Sequence, residues 1–161
     1  MIHIRRATPA DSRAMADLLN AIIALGGTTA KTTPVTGDIL SEWMTQDGSA
    51  GAWHLAEDDT GMLLGFQSIG PKEGLPYDAC DIATFVRVGQ TGLGIGSRLF
   101  KATKQAAHDL GYSWINATIR ADNESGLTYY QSRGFEDWKR VEDSVLDDGT
   151  VVARICKRYD L

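Results

Sequence analysis

The hydrophobic positions change period along the chain, and each change predicts an element. Ile2-His3-Ile4-Arg5 alternates apolar and polar, which predicts a strand. Met15, Leu18, Leu19, Ile22 and Ile23 then recur at helical spacing and make one apolar stripe. Thr8-Pro9-Ala10-Asp11 supplies the start: Thr8 can cap, Pro9 suits the first helical position, and Asp11 answers as in a capping box. Gly26-Gly27 stops the helix, and a Thr-rich loop over 28–36 surrounds Pro34. A short helix over 38–46 follows. Residues 53–57 and 63–69 predict two strands joined by the hairpin turn Asp58-Asp59-Thr60-Gly61, and 80–88 predicts another. After a cluster of glycines comes a helix to Leu110, ended by Gly111. A strand over 114–119 precedes a helix that Asn123 caps and Gly134 stops. Segments 141–146 and 150–158 flank Asp148-Gly149, a hairpin signal. The order β-α-α-β-β-β-α-β-α-β-β predicts one α/β domain over 1–161 with a mixed sheet.

Composition narrows the class. At 161 residues, with 43% hydrophobic and 23% charged, the chain is in the globular range and is not disordered. Net charge is 16 minus 21, or −5, a poor match for nucleic acid or an anionic membrane. The longest strongly apolar stretch, 21–25, is far below the ~20 residues of a spanning helix. The start, MIHIRRATPADS, has no apolar core of signal-peptide length, so the expected location is a reducing cytoplasm. Cys80 and Cys156 make neither a disulfide framework nor a metal motif. His3, His54 and His108 have no paired ligand spacing, so no metal is expected.

The densest chemistry lies in Gly89-Gln90-Thr91-Gly92-Leu93-Gly94-Ile95-Gly96-Ser97. A strand ends, glycines follow and a helix begins. Glycines let backbone amides approach a ligand, and a helix start adds unpaired N–H groups and partial positive charge. Together they suit a phosphate, although a plain glycine-rich turn reads the same way. No lysine follows, so this is not a Walker loop. A dinucleotide fingerprint needs a third glycine where Ser97 stands and an acid near Asn116, and has neither.

The turn resembles the acetyl-CoA signature of the GNAT superfamily, Arg/Gln-x-x-Gly-x-Gly/Ala, with Thr91 standing where Arg or Gln is usual and Gln90 one place earlier. Asn123-Glu124-Ser125-Gly126-Leu127-Thr128-Tyr129-Tyr130-Gln131-Ser132-Arg133-Gly134-Phe135 is similar to that superfamily's Asn-x-x-Gly/Ala-(x)-Tyr-x-x-x-Gly-Phe helix, in the expected order. The first third is similar to the phosphinothricin acetyltransferase branch through Ile4-Arg5-Arg6-Ala7-Thr8, Asp11, Asn20, Ile23, the Thr-rich loop, Pro34-Val35-Thr36 and Trp43.

The resemblance implies a mostly antiparallel sheet flanked by helices, with central strands splayed apart. It implies acetyl-CoA as co-substrate, a small-molecule primary amine such as an amino acid as acceptor, direct transfer in a ternary complex, and a homodimer. The backbone of Phe85, Val86 and Val88 is expected beside the pantetheine and carbonyl. Backbone amides of Thr91, Gly92, Leu93, Gly94, Ile95, Gly96 and Ser97 are expected on the pyrophosphate, with help from Arg98 and Lys101. Asn123 is expected on the cofactor, with a helix N-cap as its other role. Asp81 stands where the branch has its general base, with Glu57 as the spare candidate. Tyr130 stands where the superfamily has its general acid, while Tyr129 is expected to pack or be exposed. Trp43 and Trp53 are expected in the core rather than the cleft. Two other functions remain open: a silent acyl-CoA-binding sensor, and a peptide N-terminal acetyltransferase.

Overall fold

The computed structural model describes residues 1–90 and 93–161. Its elements are β1 (His3–Arg6), α1 (Ser12–Leu25), α2 (Gly37–Asp47), β2 (Ala52–Glu57), β3 (Leu63–Gly70), β4 (Ala79–Val86), α3 (Ile95–Asp109), β5 (Trp114–Arg120), α4 (Glu124–Ser132), β6 (Glu136–Val145) and β7 (Val151–Asp160). The strands form one seven-stranded sheet in the order β1-β2-β3-β4-β5-β7-β6. Every neighbouring pair is antiparallel except β4 and β5, which are parallel. No helix among the described residues is long and apolar enough to cross a membrane.

The element order matches the hydrophobic pattern, and the boundaries differ by one or two residues at several ends and by more at β6. Pro9–Asp11 is a separate 3-10 turn before α1, where the Asp11 carboxylate accepts the Thr8 amide at 2.8 Å. Strand β4 ends at Val86 rather than at residue 88, because the chain turns through Gly89 at φ +84°. Strand β6 begins at Glu136 rather than near 141. It is an exposed edge strand with register breaks at Asp137/Lys139 and Val141/Ser144, so it shows no clean alternation.

Helices cover both faces. Met15, Leu18 and Leu19 of α1 and Leu40 of α2 pack on Leu55 and Phe66. Phe100 and Ala107 of α3, with Tyr130 of α4 and Phe135, pack on Cys80, Ile82, Ile115 and Ile119. Trp53 belongs to the first core and stacks on Phe66 at 6.1 Å. Trp43 lies at its margin, with the Lys31 ammonium 4.9 Å above its ring.

The loop over 28–36 is tied down along its length. The Asn20 side chain accepts from the Val35 amide and donates to the Val35 carbonyl, both at 2.8 Å. Arg120 donates to the Thr29 carbonyl at 3.2 Å, and Asn123 to the Thr28 carbonyl at 2.9 Å. The Thr33 hydroxyl donates to Asp147 at 3.3 Å, and the Asp148 amide to the Thr32 hydroxyl at 3.1 Å. Asn20→Ala removes both backbone bonds at a part-buried site and is expected to cost about 1–3 kcal/mol. Urea unfolding measures this, with Asn20→Asp, which keeps only the acceptor, falling between.

Candidate active site

Strands β4 and β5 pair over Ala79↔Trp114, Cys80↔Ile115 and Asp81↔Asn116, and no further. Beyond that point β4 continues against β3 alone, to Gly65↔Val86. The Arg87 amide donates to the Leu64 carbonyl at 2.8 Å. Alternation in an antiparallel ladder then turns the Phe85 and Ala83 amides toward β3. Those of Thr84 and Val86 turn the other way, into the gap that β5 has left. This corrects the expectation for Phe85. The Phe85 amide faces β3, and its ring packs on Phe66 at 5.0 Å. Val88 lies beyond the strand and is exposed. Val86 presents its amide to the gap.

Asp81 stands where the two strands part. Asn116 donates to one carboxylate oxygen at 2.9 Å, and the Lys72 ammonium lies 3.6 Å from the other. Trp138 in turn donates to the Asn116 amide oxygen at 2.9 Å, which fixes the amide's orientation. Burial pushes the Asp81 carboxyl above the ordinary carboxylate range, against the opposing pull of Lys72 and Asn116. Glu57 lies at the other end of the sheet: Asp81 pairs opposite Gly70, Glu57 opposite Leu63. Arg5 holds Glu57 at 3.1 Å. The two carboxylates do not share a site.

On the α3/α4 face, the Tyr130 hydroxyl is 2.8 Å from the Thr84 hydroxyl. Tyr130 is buried, and that burial raises its phenol well above the ordinary value. Tyr129, expected to pack or be exposed, uses its hydroxyl: it donates to the Gly96 carbonyl at 2.7 Å and accepts from Gln67 at 3.1 Å. Gln67 also donates to Thr84 at 2.8 Å. One polar chain therefore runs from Tyr130 to the start of α3.

Thr91 and Gly92 lie outside the described residues. Leu93 is exposed, and Gly94 adopts the left-handed conformation at φ +73° as the N-cap of α3. The Arg98 amide donates to the Gly94 carbonyl at 3.1 Å, so the amides of Ile95, Gly96 and Ser97 precede the first intrahelical bond. That set of donors fits a pyrophosphate, and the gap beside Val86 fits a thioester arm. A Cβ on Gly96 would stand 2.6 Å from the Tyr129 ring. Gly96→Ala is therefore expected to cost about 1–3 kcal/mol through overpacking, read from the urea midpoint.

The remaining candidates are spoken for locally. Asn123 caps α4 by accepting the Gly126 amide at 3.1 Å while its amide nitrogen holds Thr28. The Arg98 guanidinium donates to the Ile2 carbonyl at 3.3 Å, and Lys101 is exposed. Burial pushes the Cys80 thiol up to about 12, which removes it as a nucleophile near neutral pH. Sequence reasoning missed Arg133, whose guanidinium donates to the Ser97 hydroxyl at 2.6 Å. Its place directly before Gly134-Phe135 was the available signal.

His54 is buried and held neutral, its imidazole lowered to about 4 by burial and then by Arg6. The unfolded chain binds a proton there near 6.5, so stability is expected to fall as pH drops from about 6.5 toward 4. His54→Gln should flatten that part of the urea-midpoint profile.

A gap thus opens between two parallel neighbours beside a helix start with Gly94 at its N-cap. The chain belongs to the Acetyltransferase (GNAT) family, whose model matches residues 23–135. It is 25% identical over 134 residues to the L-amino acid N-acyltransferase MnaT of Escherichia coli (strain K12), covering 82% of this chain and 78% of that protein. A GNAT superfamily phosphinothricin acetyltransferase from Sinorhizobium meliloti, solved with acetyl-CoA, superposes with a TM-score of 0.87 at 19% identity, over 99% of this chain and 88% of that one. A ribosomal-protein-alanine N-acetyltransferase from Brucella melitensis gives 0.87 at 22% identity, over 99% of each. The expected family and fold class are borne out.

Proposed function

We propose that this chain, as one domain over 1–161, transfers the acetyl group of acetyl-CoA to the primary amine of a small molecule, an amino acid or analogue. The gap between β4 and β5 beyond Asp81 is the observation that carries the reading. A relative named as an L-amino acid N-acyltransferase and a similar structure solved with acetyl-CoA support it.

The chain's groups divide the chemistry. Amides of Ile95, Gly96 and Ser97 hold the pyrophosphate. The Val86 amide donates to the thioester oxygen, and a donor so placed contributes about 3–4 kcal/mol as charge develops. Asp81 takes a proton from the amine, directly or through one water, so the nitrogen lone pair can attack the carbonyl carbon. The carbon–sulfur bond breaks and the thiolate takes a proton from Tyr130, while the second proton of the attacking nitrogen leaves through water and restores the Tyr130 phenol. Burial weakens Tyr130 as an acid, but it also destabilises a bare thiolate beside it, so transfer follows thiolate formation.

Two measurements test this. Acetyl-CoA and coenzyme A, but not NAD, should raise the melting temperature; ligand at 100 times Kd adds about 2.7 kcal/mol. Thiol release across a panel of amino acids, other small amines and amino-terminal peptides then reads the acceptor. Asp81→Asn is expected to lower kcat about 100-fold or more, and Tyr130→Phe about tenfold or more, with coenzyme A affinity little changed. The acid limb of wild-type kcat should lie above the ordinary carboxylate range, since Asp81 must be ionised, and should vanish in Asp81→Asn. Coenzyme A binding without turnover on any amine would support a sensor instead. Turnover confined to peptides would move the acceptor to a protein terminus.

A further inference from the structure

We propose that Arg133 is the cation of the donor site, and that its guanidinium binds a phosphate of coenzyme A at the first turn of α3. The inference rests on the donor-site reading above and adds a residue that the signature does not contain. The signature places Arg or Gln where this chain has Thr91, and no basic residue occurs from Gly89 to Ser97. Arg98, the next one, is engaged toward β1 through the Ile2 carbonyl.

The charge arrives from α4 instead. Arg133 is the C-cap of α4, and its Nη2 donates to the Ser97 hydroxyl at 2.6 Å. Its guanidinium carbon stands 4.9 Å from the centre of the Tyr129 ring. That ring is itself fixed, by the bond to the Gly96 carbonyl and by Gln67. Cation–π stacking on a fixed ring holds the fork in one orientation, unlike an arginine free in solvent.

What the fork lacks identifies its partner. Among the described residues no carboxylate pairs with Arg133. Its Nε is buried with no acceptor among them. The Ser97 hydroxyl accepts from Arg133, which leaves its own proton to donate. Guanidinium, hydroxyl and the α3 amides thus gather donors around one point, a set that matches phosphate oxygens.

Titration calorimetry of the full chain with coenzyme A and with 3′-dephospho-coenzyme A tests this. Arg133→Gln is expected to weaken coenzyme A binding about 10- to 100-fold, the scale of a lost charged hydrogen-bond pair. Its Kd should also depend less steeply on salt. Arg133→Lys keeps the charge but not the fork and should recover binding only in part. Arg140→Gln removes the same charge from β6 and should leave Kd within twofold. A loss equal for both ligands assigns the pyrophosphate, and a loss confined to coenzyme A assigns the 3′-phosphate; either supports the proposal. Arg133→Gln with wild-type circular dichroism and melting temperature but Kd within twofold overturns it, as does an equal loss in Arg140→Gln. Failure of the wild-type chain to bind either ligand overturns the donor-site reading itself.

Discussion

The chemistry of this molecule depends on a pairing that stops. Two parallel strands hold register for three residues and then separate, although each remains fully paired on its far side. Backbone amides and carbonyls left in such a gap are costly unless something polar meets them. The separation therefore creates a requirement for an extended polar partner, and the proposed acetyl-CoA, with an amide-bearing pantetheine arm, is one of that kind. Asp81 and Asn116 are the last pair in register, and their side-chain bond at 2.9 Å fixes where separation begins. The carboxylate proposed as the base is thus also the strand's closing contact.

The second constraint is the polar chain from Tyr130 through Thr84, Gln67 and Tyr129 to Gly96. It crosses between helices that otherwise meet the sheet through apolar packing. Because it is largely buried, its members are held by the cost of leaving any of them unpaired. It sets the spacing between the end of β4 and the first turn of α3. The close approach of the Tyr129 ring also explains Gly96 by space alone, since its backbone is ordinary helix.

Much of this was legible in the sequence, for reasons that differ by region. Elements with one buried face, such as α1 with Met15, Leu18 and Leu19, announce themselves by period. The glycine turn and the Asn123–Phe135 helix were readable because their spacing follows the pattern of the family to which the chain belongs. Strand β6 was shortened because an edge strand with two register breaks and solvent on both sides has no buried face to show. Phe85 was assigned to the gap because which way an amide points depends on the partner strand's register, which no local pattern encodes. Arg133 was missed for a related reason. Its partners, Ser97 and the Tyr129 ring, come together only when α3 and α4 are packed side by side.

Strand β7 sits between β5 and β6, although it follows both in the chain. Until residues 151–160 are available, β5 has no neighbour on its far side and half the sheet has no interior. A chain made vectorially from its amino terminus can assemble β1 to β4 with α1 and α2 early. It must then hold β5, α4 and β6 incomplete while β7 is still being synthesised. That leaves the outer edge of β5 without the backbone partner that β7 supplies from Trp114 to Arg120. Non-local closure of this kind is slow and open to aggregation. The β5-β7-β6 end of the sheet is therefore the last part to close and the part most exposed to failure during biosynthesis.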